Sequence, residues 1–248
     1  MKNLVLSICM VLFFSCKEKK ATEVTLSVNE IVDKSIEVSG GERYETSKIC
    51  FKFRGLEYVS EEGGKTQKRS FFSDSINYID IKRDSNFQRF VNDTPVIISD
   101  SLASLYSNSI NSVHYFAQLP YHLNDAAAKK EFLKEEVVKN KSYYLVKVTF
   151  DENGGGVDFE DNYLYWINKK TFKIDYLAYD FHVNGGGVRF RKAYNERFVN
   201  GIRFADYENY KPKNESATLM QMSDLFEKNQ LELLSKIDIK NIEVNQEI

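Results

Sequence analysis

The sequence predicts an α+β protein, mostly antiparallel β, in which a curved sheet wraps amphipathic helices. Three observations predict it. Residues 143–211 divide into five strands, 143–150, 163–167, 172–183, 188–199 and 202–211, joined by short turns rich in Asn, Gly and Lys. Asn-Gly between apolar runs accepts the positive φ that tight hairpins need, so each strand pairs antiparallel with the one before it. A second meander of four strands precedes it at 49–58, 66–72, 76–82 and 87–91, with Asp/Ser/Asn turns. Finally, several strands are apolar on both faces, as where Tyr163, Tyr165 and Ile167 alternate with Leu164 and Trp166. Such a sheet must be covered on both sides or must line a cavity.

Taken in order, the chain opens with Lys2 and an apolar run over 4–14, too short to span a bilayer as a helix. Leu12, Phe13, Phe14, Ser15 and Cys16 then resemble a bacterial lipobox, with bulkier residues at 13 and 14 than the usual pattern. The expectation is a signal peptide over 1–15, lipidation of Cys16, a tether over 16–26 and a single domain over 27–248. An ordinary secretory signal with a chance cysteine is the alternative. Two or more acyl chains give the stable membrane attachment that one chain does not. Lys17 stands where an inner-membrane retention signal would place Asp, which favours an outer-membrane, periplasm-facing lipoprotein of the cell envelope. Cys9 leaves with the signal and Cys16 carries lipid, so Cys50 has no internal disulfide partner and reads as an inert thiol.

Ser27 and Glu30 form a capping box for a first helix whose apolar stripe is Val28, Ile31, Val32 and Ile36, stopped by Gly40 and Gly41. Between the meanders, Ser99 or Asp100 caps a longer helix carrying Leu102, Leu105, Tyr106, Ile110, Val113 and Phe116 or Ala117, ended at Leu119 and Pro120. Asn124 is expected to cap a short helix through Lys130, followed by a strand over 132–139. A short helix over 223–228 and one final strand around 237–244 complete the chain.

A hydrophobic share of 42%, with aromatic residues making up 14% of the chain, provides a core for one domain, and only three prolines interrupt the chain. The net charge of −2, with no basic stripe interleaved with stacking aromatics, argues against a nucleic-acid partner.

The layout resembles the half-open β-barrel of the lipoprotein localisation factors, which implies an incomplete antiparallel barrel that wraps helices and holds acyl chains. In sequence the chain is closer to an uncharacterised, domain-of-unknown-function family of Bacteroidetes envelope lipoproteins. The stretches that carry this are Ile31 to Ile36 with Gly40 and Gly41, Asn111 to Phe116, Leu119 to Tyr121 with Leu123 to Ala127, Phe150 to Glu152, Tyr165 to Asn168 and Arg189 to Arg191. That resemblance brings no known activity.

Candidate sites follow. Asn153, Gly154, Gly155 and Gly156 are echoed by Asn184, Gly185, Gly186 and Gly187, and a meander puts both loops at one end of the sheet. Acids follow the first loop and arginines the second. A rim salt bridge between them is the plain reading, and a binding role for the two glycine triplets is the alternative. Asp151, Asn153, Asp158, Glu160 and Asp161 are oxygen-rich but lack EF-hand spacing, and the histidines lack metal-ligand spacing, so no metal or cofactor is expected. His182 is expected across from Arg189 or Arg191. A Ser112, His114 and Asp125 set would make an envelope hydrolase, but no nucleophile elbow supports it.

The leading expectation is a lipid or other hydrophobic small molecule held without catalysis by a carrier or sensor. The lining would come from Leu105, Ile110, Val113, His114, Tyr115, Tyr121, Tyr165, Trp166, Tyr179 and Phe181, with Trp166 fluorescence reporting entry. A packed structural scaffold is the remaining alternative, and any protein partner is unspecified.

Overall fold

The computed structural model describes residues 26–153, 159–182 and 185–246. The signal peptide, Cys16, Gly154 to Gly156 and Asp158 therefore lie outside the described residues. The first element is α1 (Val28–Ser39), and its capping box is formed: Glu30 N–H donates to Ser27 Oγ, and the Ser27 amide donates to the Glu30 carboxylate. Six strands follow: β1 (Ser47–Phe53), β2 (Leu56–Glu61), β3 (Thr66–Ser73), β4 (Ile76–Arg83), β5 (Asn86–Val91) and β6 (Thr94–Val96). Then come α2 (Asp100–Ala117), a 3-10 turn at Tyr121–Asn124, and β7 (Ala128–Val138), β8 (Lys141–Phe150), β9 (Tyr163–Asn168), β10 (Ile174–Phe181), β11 (Gly187–Val199) and β12 (Ile202–Pro212). The chain ends with α3 (Met222–Glu227), β13 (Leu231–Ile237) and β14 (Lys240–Gln246).

The strands form two seven-stranded antiparallel sheets, ordered β14-β1-β2-β3-β4-β5-β6 and β13-β12-β11-β10-β9-β8-β7. Neither closes into a barrel. The predicted five-strand meander is β8 to β12, and the predicted four-strand meander lies within β1 to β5.

Three expected elements change. The strand read as 49–58 is a hairpin, because Arg54 and Gly55 take φ of 51° and 82° and turn the chain between β1 and β2. The helix expected after Asn124 is not formed. Its residues enter β7, where pairing from Ala128 with Phe150 to Val138 with Lys141 overrides local helix propensity. The final strand is two strands in different sheets. At the break, Ile239 N–H donates to Asp206 Oδ1 at 3.0 Å and the Ile239 carbonyl accepts from Arg197 at 2.6 Å. These bonds satisfy the backbone where it leaves β12 and crosses to pair with β1.

The second sheet is covered on both faces, as its apolar alternation requires. Ile31 and Val32 of α1 pack with Val146, Val148, Tyr165, Ile167 and Leu177 on the inner face. On the outer face Leu145, Leu164, Trp166, Tyr176 and Phe190 pack beneath Met222 and Phe226 of α3. A third cluster joins the sheets, with Ile49, Phe51 and Tyr58 against Ile202 and Phe204.

Candidate ligand-binding site

Helix α2 lies between the sheets. Ser99 caps its start, accepting from the Leu102 amide at 3.4 Å. Its N-terminal half is fixed to the first sheet by a buried ionic cluster. Asp80 of β4, fully buried, accepts from Arg69 Nη2 at 2.5 Å and from Arg89 Nε at 2.6 Å. Tyr106 of α2 lies 4.0 Å from the Arg89 guanidinium, and Arg69 also reaches Ser109 Oγ at 3.2 Å. Its C-terminal half enters the core, with Tyr115 and Phe116 turned toward the second sheet.

Two chambers flank that half and share Ser112, Phe116 and Tyr163 in their walls. The more apolar, about 420 Å³, is lined by Val113, Phe116 and Ala117 of α2, by Tyr163, Tyr179 and Phe181, and by Ile237 and Ile239. Arg189 and Arg191 also face it. The other, about 310 Å³, is polar, with Gln67, Lys82, Asn108, Asn111, Tyr115 and His122 around it.

The expected lining residues separate by position. Val113, Tyr179 and Phe181 line the apolar chamber, and Tyr115 lines the polar one. Tyr165 is fully buried behind them, its hydroxyl 2.7 Å from that of Tyr115, and burial holds both phenols far above their usual range. Ile110 is fully buried, whereas Leu105 is 61% exposed on the outer side of α2. Tyr121 stacks on Tyr44 at 4.7 Å beside a separate open cleft rimmed by acids.

Trp166 is a correction. It lies on the outer face, its indole N–H donating to Glu136 at 2.7 Å, because β9 directs its odd-numbered tyrosines inward. His114 is another. It is fully buried, and Nε2 donates to the Lys68 carbonyl at 3.4 Å, since a carbonyl only accepts. Nδ1 then accepts from Gln118 at 3.2 Å, and burial lowers the pKa to about 3. The imagined hydrolytic set is not assembled, because Asp125 pairs with His122 at 3.0 Å and His114 is occupied elsewhere.

Gly185, Gly186 and Gly187 follow Phe181, a wall residue of the apolar chamber. A Cβ on Gly187, whose φ is 145°, would come within 3.1 Å of the Phe181 ring, so Gly187 packs closely against that ring. Gly186 would meet the Phe181 carbonyl at 3.0 Å, and Gly185 is exposed with open space around it. His182 faces Asp161 at 3.2 Å rather than the arginines, and that hydrogen bond raises its pKa. Among the described residues, no three His, Cys, Asp or Glu side chains converge as metal ligands.

The arginines are what sequence reasoning missed. Charge patterning places them at the rim, but register pairs Leu177 with Arg191 and Tyr179 with Arg189, which sets both on the inner face. Phe190 between them turns outward to Trp166. The alternation Val188, Arg189, Phe190, Arg191 carried that signal, provided the outer face was known to be covered.

A LolA superfamily protein from Nitrosomonas europaea superposes with a TM-score of 0.51 at 12% identity, covering 90% of this chain and 96% of that one. A DUF1329 family protein from Desulfovibrio piger gives a TM-score of 0.47 at 12% identity, covering 88% and 93%. The first likeness shows a shared LolA-like fold. No curated protein matches the chain in sequence. Residues 1–239 match a family of unknown function, DUF6503, and the chain belongs to that family.

Proposed function

We propose that this protein binds a lipophilic or amphipathic ligand in the apolar chamber beside α2, as a carrier or sensor, without catalysis. The observation that carries the reading is the chamber itself. At about 420 Å³ it falls within the usual range for small-molecule sites, roughly 300–1,000 Å³, and its walls are chiefly aromatic and aliphatic. The LolA-like fold supports the same reading.

The proposal includes the location. Removal of residues 1–15 and lipidation of Cys16 would anchor the protein in the cell envelope, at the outer membrane and facing the periplasm. Residues 16–26 would be the tether and 27–248 one half-barrel domain.

Native mass spectrometry of residues 17–248, followed by organic extraction, tests the ligand reading. Copurified lipid near one equivalent is expected. A clean apo mass that persists after incubation with a lipid and fatty-acid panel would oppose it.

A further inference from the structure

We propose that the ligand carries an anionic head group, a carboxylate or a phosphate monoester, and that Arg191 receives it, with Tyr179 and Arg189 assisting. This rests on the reading that the apolar chamber holds an amphiphile. Arg191 is only 9% exposed, and its Nε is buried with no hydrogen-bond partner among the described residues. Among the described residues it forms no ion pair with a carboxylate. Its Nη2 donates to the Tyr179 hydroxyl at 2.9 Å, and its guanidinium lies 4.0 Å from the Phe116 ring centroid. A buried cation with an unused donor is costly to leave unmade, so an acceptor is expected to complete it. Because the Tyr179 hydroxyl accepts from Arg191, its own hydrogen remains available to donate toward the same point.

The surrounding charges agree. Among the described residues, the chamber wall holds Arg54, Arg189 and Arg191 against one acid, Asp161, which is engaged by His182. Arg189 lies 4.7 Å from the Phe181 ring, and its Nη1 donates to the Val188 carbonyl. Arg54 sits on the exposed β1–β2 turn over Phe53. Guanidinium groups over aromatic rings, in the wall of a largely apolar chamber, fit planar recognition of a carboxylate or phosphate. The aromatic walls would take the hydrocarbon part.

Photo-crosslinking in membranes from cells expressing the full chain tests this. Three alkyne-tagged diazirine probes of equal chain length are used: a fatty acid, an alkyl phosphate and a fatty alcohol. The expected result is labelling of β10, β11 or α2 peptides by at least one anionic probe about tenfold or more above the alcohol, as a charge-assisted hydrogen bond provides. Which anionic probe dominates identifies the head group. R191Q should reduce anionic labelling to the alcohol level while R191K retains part of it, with limited proteolysis confirming an unchanged fold. Equal labelling by acid, phosphate and alcohol in the unmodified protein overturns the head-group inference and leaves chamber binding intact. No chamber labelling by any probe overturns both.

Discussion

Replacing Asp80 with Asn should release α2 from the first sheet, and the structure sets the size of the effect. The carboxylate is wholly buried, and its two oxygens accept four hydrogen bonds, from Nε and Nη2 of both Arg69 and Arg89. The side chains of those arginines are themselves only 9% and 12% exposed. D80N keeps the shape but removes the negative charge, leaving two adjacent guanidinium groups buried together. Removing one partner of a buried pair costs about 3–5 kcal/mol, against a typical domain stability of roughly 5–15 kcal/mol. Urea unfolding followed by far-UV circular dichroism should therefore show a midpoint lowered by a large fraction of its original value. The parent protein in high salt should lose little stability, because screening acts weakly on buried pairs. R69M/R89M, which removes the cations instead, should harm the D80N background far less than it harms the parent. A D80N cost below about 1 kcal/mol, abolished by salt in the parent, would match an exposed ion pair and refute the argument.

Other consequences can be tested directly. His114 titrates near 3 when folded but near 6.5 when unfolded, so stability is unaffected above about pH 6.5 and falls below it by about 1.4 kcal/mol per pH unit. The melting temperature should follow that slope between about pH 6.5 and 3, and H114Q should flatten it; an unchanged profile in H114Q would assign the loss to other groups. Trp166 emission should not respond to chamber ligands but should shift red in M222A, where the outer face loses its cover; the cavity cost is about 2–5 kcal/mol. Ligand-dependent Trp166 emission with α3 in place would contradict its outward placement. G201A should destabilise by more than about 1 kcal/mol, because Gly201 has φ of 84° and a Cβ there would lie 2.7 Å from Arg43 Nε. A neutral effect in thermal unfolding would show that the β11–β12 turn relaxes freely.

Most of the fold was legible because hairpins are local. Asn200 and Gly201 state their turn in two residues, and the β8 to β12 meander follows from such turns in succession. The misread elements are those whose fate depends on distant partners. The break between β13 and β14 is fixed by Asp206 and Arg197 on neighbouring strands, and nothing near Asp238 announces it. β7 became a strand through its ladder with β8, against the helix propensity of its first residues.

The candidate site shows the same limit in a sharper form. Period-two alternation told which residues of β9 share a face, but not which face looks into the chamber. Trp166 and Tyr165 are both apolar enough for either side, and the decision rests with α3, whose Met222 and Phe226 claim the tryptophan side. Once that side is covered, the remaining choice propagates through the register. Phe190 must join Trp166 outside, so Arg189 and Arg191 must face inward with Tyr179. Charge patterning alone assigns arginines to solvent, and it fails here because strand parity is the stronger constraint: turning Arg191 out would bring Phe190 in and leave the outer cluster without its ring. The cation is thus held inside by packing on the opposite face, which makes an anionic head group the natural complement to a chamber that is otherwise suited to hydrocarbon.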